Sequence, residues 1–114
     1  VSYFSDIALA EKEFTGSNET YDALFAVELL EHLPDPIRFI HQCAASLVSG
    51  GKFAFTTASH MPQFDHLYNF TDDAEFENEL TNSGLEVIDK EELFHHYIGG
   101  PKEAKNTWYL CQKK

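Results

Sequence analysis

Residues 23–27 read Ala-Leu-Phe-Ala-Val, an apolar run with no alternation. A strand with one wet face alternates apolar and polar residues. A continuous run marks a strand covered on both faces, as in a parallel sheet. Parallel strands need a crossover, and the sequence supplies one. Leu33-Pro34-Asp35-Pro36 breaks the chain and starts a helix, with Asp35 to cap its free amides and Pro36 at its first position. Ile37, Ile40, Ala44 and Leu47 then recur at helical spacing and give one buried stripe. Gly50-Gly51 is expected to end this helix and turn the chain, and residues 53–57 read as a second central strand.

The rest of the chain keeps the same rhythm, which argues an α/β fold. Residues 1–4 read as the end of a strand and residues 12–18 as a loop with Gly16, Ser17 and Asn18 as turn residues. Residues 59–70 form a loop rich in His and aromatics. Thr71 or Asp72 caps a further helix, with Glu75 placed for a capping box if Asp72 is the cap. Phe76 and Leu80 face inward and Gly84 closes that helix. Residues 85–88 begin a strand and residues 107–111 form the last one, with a Gly99-Gly100-Pro101 turn between them. No helix long enough for a parallel crossover separates these two strands, so an antiparallel pair is expected.

Bulk properties exclude several classes. A chain of 114 residues supports one domain with a modest core, taken here as residues 1–114. Its 43% hydrophobic and 14% aromatic content is globular, not disordered. No apolar stretch approaches the roughly 20 residues that span a bilayer, and no signal peptide is visible. The net charge of −11 would repel a phosphate backbone, so a nucleic-acid partner is not expected. Cys43 and Cys111 lack metal-type spacing and read as buried free thiols. Nothing points to an oxidising compartment, and a cytoplasmic location is the expectation. The start at Val1 rather than Met fits a fragment or a processed chain.

Four segments carry a resemblance. The first is Tyr21-Asp22, the apolar run, then Glu28-Leu29-Leu30-Glu31-His32-Leu33-Pro34-Asp35-Pro36. The second is Leu47-Val48-Ser49-Gly50-Gly51-Lys52-Phe53. The others are His66-Leu67-Tyr68-Asn69-Phe70-Thr71 and Ser83-Gly84-Leu85-Glu86-Val87. In this order they resemble the fourth-strand region, the turn into the fifth strand and the following segments of class I S-adenosylmethionine-dependent methyltransferases, the ubiquinone-pathway type among them. The resemblance implies an α/β fold, a Rossmann-like methyltransferase sheet lacking its first strands, with an antiparallel C-terminal strand pair.

The chain departs from that family in one large respect. The Gly-x-Gly-x-Gly loop after the family's first strand is absent, and none of the six glycines has Gly-x-Gly spacing. The acidic residue that ends the family's second strand is absent too. The resemblance implies that this chain begins at the third strand and matches the C-terminal portion of the domain. Ligands of open α/β sheets lie beyond the carboxyl ends of the strands, where a backbone that approaches the cofactor closely needs glycine. One wall of such a pocket is therefore expected here. The sheet edge at residues 23–27 would lie open, and an open apolar edge is an association site. The expected partner is a missing N-terminal segment, or a second copy in a homodimer.

The resemblance also implies site residues. Asp6 and Ile7 match the residues that contact adenine, and Val27, Glu28 and Leu29 end the strand that faces S-adenosylmethionine. Glu28, Glu31 and His32, joined by His60 or His66, resemble a metal-binding set, whose oxygen ligands suit Mg²⁺ and whose imidazole also admits Zn²⁺ or Mn²⁺. A structural Glu-His pair without metal is the competing reading. His32 is the candidate catalytic base, since an imidazole titrates near neutrality. His95 and His96 are adjacent near a strand end, so they point to opposite faces and read as surface or substrate-side residues. Phe64, Tyr68 and Phe70 are candidates for a substrate pocket or for core, and Trp108 and Tyr109 for packing. The acidic run at residues 72–75 complements a helix dipole.

The function implied is methyl transfer from S-adenosylmethionine to an oxygen or nitrogen of a small molecule in the intact protein. The alternative is a truncated, non-catalytic remnant that acts as an oligomeric or binding module. A metal-dependent RNA-end methyltransferase is disfavoured by the charge of −11.

Overall fold

The computed structural model describes residues 20–59, 68, 70–95 and 104–114. The expectations for residues 1–4, Asp6, Ile7, the loop at 12–18, His60, Phe64, His66, His96 and the turn at 99–101 lie outside the described residues.

Strand β1 (Tyr21–Ala26) leads through a short 3₁₀ turn (Leu30–His32) to helix α1 (Pro36–Ser46). Strand β2 (Leu47–Ser59), helix α2 (Asp73–Asn82), strand β3 (Leu85–Phe94) and strand β4 (Lys105–Lys113) follow. The sheet order is β1-β2-β4-β3. β1 and β2 run parallel with Leu24 beside Phe53 and Ala26 beside Phe55. β4 runs antiparallel to both β2 and β3. The expected α/β class and the antiparallel final pair are both present.

Local chemistry accounts for the helix boundaries. The Asp35 carboxylate accepts the Arg38 N–H at 3.1 Å, and Pro36 occupies the first turn, where a missing N–H costs nothing. The Asp72 carboxylate accepts the Glu75 N–H at 3.1 Å, so Asp72, not Thr71, is the cap. At the other end Gly84 takes φ +89 and donates its N–H to the Thr81 carbonyl at 3.0 Å.

Gly50-Gly51 does something other than end α1. The helix stops at Ser46, and β2 begins at once with Leu47. Tyr21 pairs with Leu47 but Ala23 pairs with Lys52, so residues 48–51 bulge out of the ladder. Gly50 makes the bulge with φ +80. A Cβ on Gly51 would sit 2.8 Å from the Val48 carbonyl oxygen and 3.2 Å from that of Asp22, so only glycine lets the two backbones meet.

Both helices cover one face of the sheet. Phe39, Ile40, Cys43 and Ala44 from α1, and Phe76 and Leu80 from α2, join Phe53, Phe55, Tyr109 and Cys111 in one core. The Phe55 ring stacks on Tyr109 at 5.2 Å and meets the edge of Phe76 at 6.0 Å. Burying a ring such as Phe55 is worth about 2–3 kcal/mol. Cys43 and Cys111 are buried free thiols, as expected. Burial raises both, Cys111 to about 12, which leaves them unreactive.

The opposite face is bare among the described residues. Phe25 is 76% exposed, Val27 50% and Trp108 44%. Two expectations are thereby corrected. Among the described residues, residues 23–27 are covered on one face only, because both helices lie on the Ala26 side. Trp108 does not pack, because it alternates with buried Tyr109 and so faces away from the helices.

Candidate functional site at the carboxyl ends of β1 and β2

β1 and β2 are parallel, so their carboxyl ends share one edge of the sheet, where open α/β folds place ligands. The segment leaving β1 there is anchored from below. Leu30 and Leu33 are buried in the core and Leu29 packs against it. The His32 N–H reaches the Leu29 carbonyl at 3.0 Å and closes the 3₁₀ turn.

Glu28 sits at the start of this segment with φ 55, the sole non-glycine residue of positive φ among the described residues. That conformation costs a non-glycine residue about 1–2 kcal/mol. Its N–H donates to the Thr56 hydroxyl at 2.8 Å, so β2 holds the strained residue by one bond. Thr56 is fully buried.

Glu31 is more unusual. It is 0% exposed, and neither carboxylate oxygen has a hydrogen-bond partner among the described residues. His32 Nε2 lies 3.9 Å from Glu31 Oε1, too far for a hydrogen bond. Burial, and next the neighbouring Glu28 carboxylate, raise the pKa of Glu31 above its ordinary value. Its main chain has a separate task. The Tyr68 N–H donates to the Glu31 carbonyl at 3.1 Å, tying the segment after β2 to the turn after β1.

Tyr68 also borders a cavity of about 200 Å³, together with Ile37, Phe70, Phe76, Glu75 and Glu79. Of the aromatics expected in a pocket, Tyr68 is half-buried on this wall and Phe70 is 4% exposed, serving core and wall at once. His95 follows the end of β3, which the register brings beside the carboxyl end of β2, and its ring lies 2.7 Å from Asn106 Oδ1.

The expected residues therefore separate. Glu28, Leu29, Glu31 and His32 share one short segment, with Val27 exposed just before it. The metal expectation finds no support. Among the described residues no three His, Cys, Asp or Glu side chains are grouped to hold an ion, and His60 lies outside them. Thr56 was missed by sequence reading. The only signal was a hydroxyl interrupting the apolar Phe53-Ala54-Phe55 stretch near the ligand end of its strand.

No family model matches the chain. The ubiquinone biosynthesis O-methyltransferase of Aliivibrio fischeri is 42% identical over 48 residues, covering 42% of this chain and 20% of that protein. The protein of the same name from Xanthomonas axonopodis pv. citri is 32% identical over 89 residues, covering 61% of this chain and 37% of its own length. The chain thus spans less than half the length of these curated relatives. Among solved structures, a candidate methyltransferase of Bacillus halodurans superposes with a TM-score of 0.70 at 11% identity, covering 85% of this chain and 66% of that one. TehB of Haemophilus influenzae gives 0.62 at 16% identity, covering 98% and 40%. The [4+2]-cyclase SpnF gives 0.64 at 15%, covering 83% and 50%. At these identities the superpositions show a shared fold.

Proposed function

From a chain that carries the C-terminal portion of the class I methyltransferase fold, we propose that the segment Val27 to His32 forms one wall of an S-adenosylmethionine site. In the complete protein this site serves methyl transfer to a small-molecule oxygen or nitrogen. The observation that carries the reading is the pairing of Glu28 and Glu31. A strained residue and a buried carboxyl without a hydrogen-bond partner among the described residues stand side by side where the fold binds ligands. Relatives named as O-methyltransferases support it.

The residues suit the cofactor's chemistry. S-adenosylmethionine is a cation with an apolar, aromatic end, and it supplies an electrophilic methyl group when bound. The neighbouring acids Glu28 and Glu31 favour positive charge, and exposed Val27 offers apolar surface to a ring. The buried anchors Leu30 and Leu33 hold the wall rigid, so that reactants meet in a fixed orientation, which is most of what a direct displacement asks of a protein. His32, partly exposed beside Glu31, is the group in this wall suited to accept a proton from the acceptor.

The bare face and open edge that β1 shows among the described residues favour a partner. The occupant proposed is polypeptide that completes the sheet, supplied by a longer form of this protein or by a second copy. A non-catalytic oligomeric module is the second reading, favoured by the same exposed Phe25 and Val27.

Calorimetric titration with S-adenosylhomocysteine, with and without Mg²⁺, tests the reading. Binding at micromolar ligand, indifferent to Mg²⁺, is expected from any form in which the sheet is complete. No binding at millimolar ligand by this chain or by the full product of its gene contradicts it and leaves the oligomeric module.

A further inference from the structure

The bond from Glu28 to Thr56 points to a residue role beyond the wall itself. We propose that Thr56 is a positioning residue: its buried hydroxyl holds Glu28 in the left-handed conformation and so sets where the Glu28 carboxylate stands at the ligand edge. The inference rests on the reading of that edge as a ligand site.

Three observations carry it. Glu28 has φ 55, a region that L-residues other than Asn and Asp rarely occupy. Such strain persists only where surrounding structure holds it. The hold is visible: the Glu28 N–H donates to Thr56 Oγ1 at 2.8 Å, from a strand 28 residues away in sequence. Thr56 has no exposed surface, so water does not offer a substitute acceptor at that oxygen. Ordinary strand geometry would carry the chain straight on from Ala26. The left-handed residue instead turns it at once into the 3₁₀ turn, and that turn brings Glu31 beside Glu28.

The hydroxyl, not the bulk of the side chain, does this. Thr56→Val keeps the shape and removes the acceptor, whereas Thr56→Ser keeps the acceptor and removes a methyl group. Loss of this part-buried bond is enough to let the strained residue relax.

The test uses the whole chain labelled for NMR. In the parent, the strong intraresidue amide-to-Hα Overhauser effect that marks positive φ is expected at Glu28, with a slowly exchanging amide. In Thr56→Val that signature is expected to vanish and the amide to exchange at least about tenfold faster, the ratio for one lost hydrogen bond. Signals of Phe53, Tyr109 and Cys111 should stay in place. Thr56→Ser is expected to restore both features. Affinity for S-adenosylhomocysteine should fall about tenfold in the Val variant and return in the Ser variant. Retention of the Glu28 signature in Thr56→Val overturns the proposal. So does a released Glu28 with unchanged affinity, since Thr56 would then be merely structural. A parent chain that never binds the ligand counts against the methyltransferase reading; the Overhauser effect and exchange still decide whether Thr56 holds Glu28.

Discussion

Two acid-rich regions of this molecule are built on opposite terms. Where α2 meets β3 and β4, Asp73, Glu77 and Glu92 each have a lysine. Lys105 Nζ lies 2.5 Å from Asp73 and 3.4 Å from Glu92. Lys90 Nζ lies 3.2 Å from Glu77 and 3.4 Å from both Asp73 and Glu92, and 5.6 Å from the Tyr109 ring centre. In the turn after β1, Glu31 is deeper than any of these acids and Glu28 beside it is exposed, and among the described residues neither has a lysine. Glu31 is fully buried with neither oxygen hydrogen-bonded among the described residues, and Glu28 is strained beside it. The first region holds the fold together. The second takes stability away from it, and proteins retain such features where a ligand needs them.

The difference predicts substitutions of opposite sign. The largest effect is expected from Lys105→Met, which strips Asp73 and Glu92 of a cation whose side chain is only 13% exposed. Denaturant unfolding should show a loss of about 2 kcal/mol, below the full cost of breaking a buried pair because Asp73 is partly solvated. Glu31→Met is expected to do the reverse. It replaces an unpartnered carboxyl by an apolar side chain of similar length and should gain about 1–2 kcal/mol at pH 8. Its affinity for S-adenosylhomocysteine should drop at the same time. A stabilised variant that still binds would break the comparison.

The two regions should also respond oppositely to pH. The folded-state pKa of Glu31 is raised, first by burial and then by Glu28. Its contribution is therefore fully present below the unfolded value of 4.5 and is lost as pH rises through the raised folded value. Burial alone would raise Asp73, but Lys105 and then Lys90 hold it below its ordinary value. Its contribution is present above the unfolded value of 3.8 and is lost as pH falls through the lowered folded value. Stability measured against pH for Glu31→Met and Asp73→Asn, each subtracted from the parent, should give curves of opposite slope. The smallest effect is expected from Glu28→Gly, which relieves the left-handed strain. It should add up to about 1 kcal/mol in thermal unfolding while weakening the ligand.

Much of the fold was legible because it rests on local rules. Asp35-Pro36 and Asp72 start helices through side-chain geometry that needs no knowledge of the rest of the chain. The short sequence between the last two strands excluded a parallel crossover. Reading failed where tertiary context decided. A run such as Ala23 to Val27 looks the same whether one face or two are covered, and Phe25 shows that here one face is bare. Gly50-Gly51 is helix-ending chemistry, yet its place opposite Asp22 made it a bulge. At the site, the sequence resemblance brought Glu28, Glu31 and His32 together on one segment, but their spacing says nothing of depth. Burial of Glu31 and the hold of Thr56 on Glu28 depend on how β2 lies against β1.

The most direct measurement is a shift map of the amide signals on addition of S-adenosylhomocysteine to the labelled protein. The account predicts that Val27, Glu28, Leu29 and Glu31 move together while Asp73, Lys90 and Lys105 stay still. Movement centred on the lysine network, or saturating ligand with no change at Glu28 and Glu31, would contradict it.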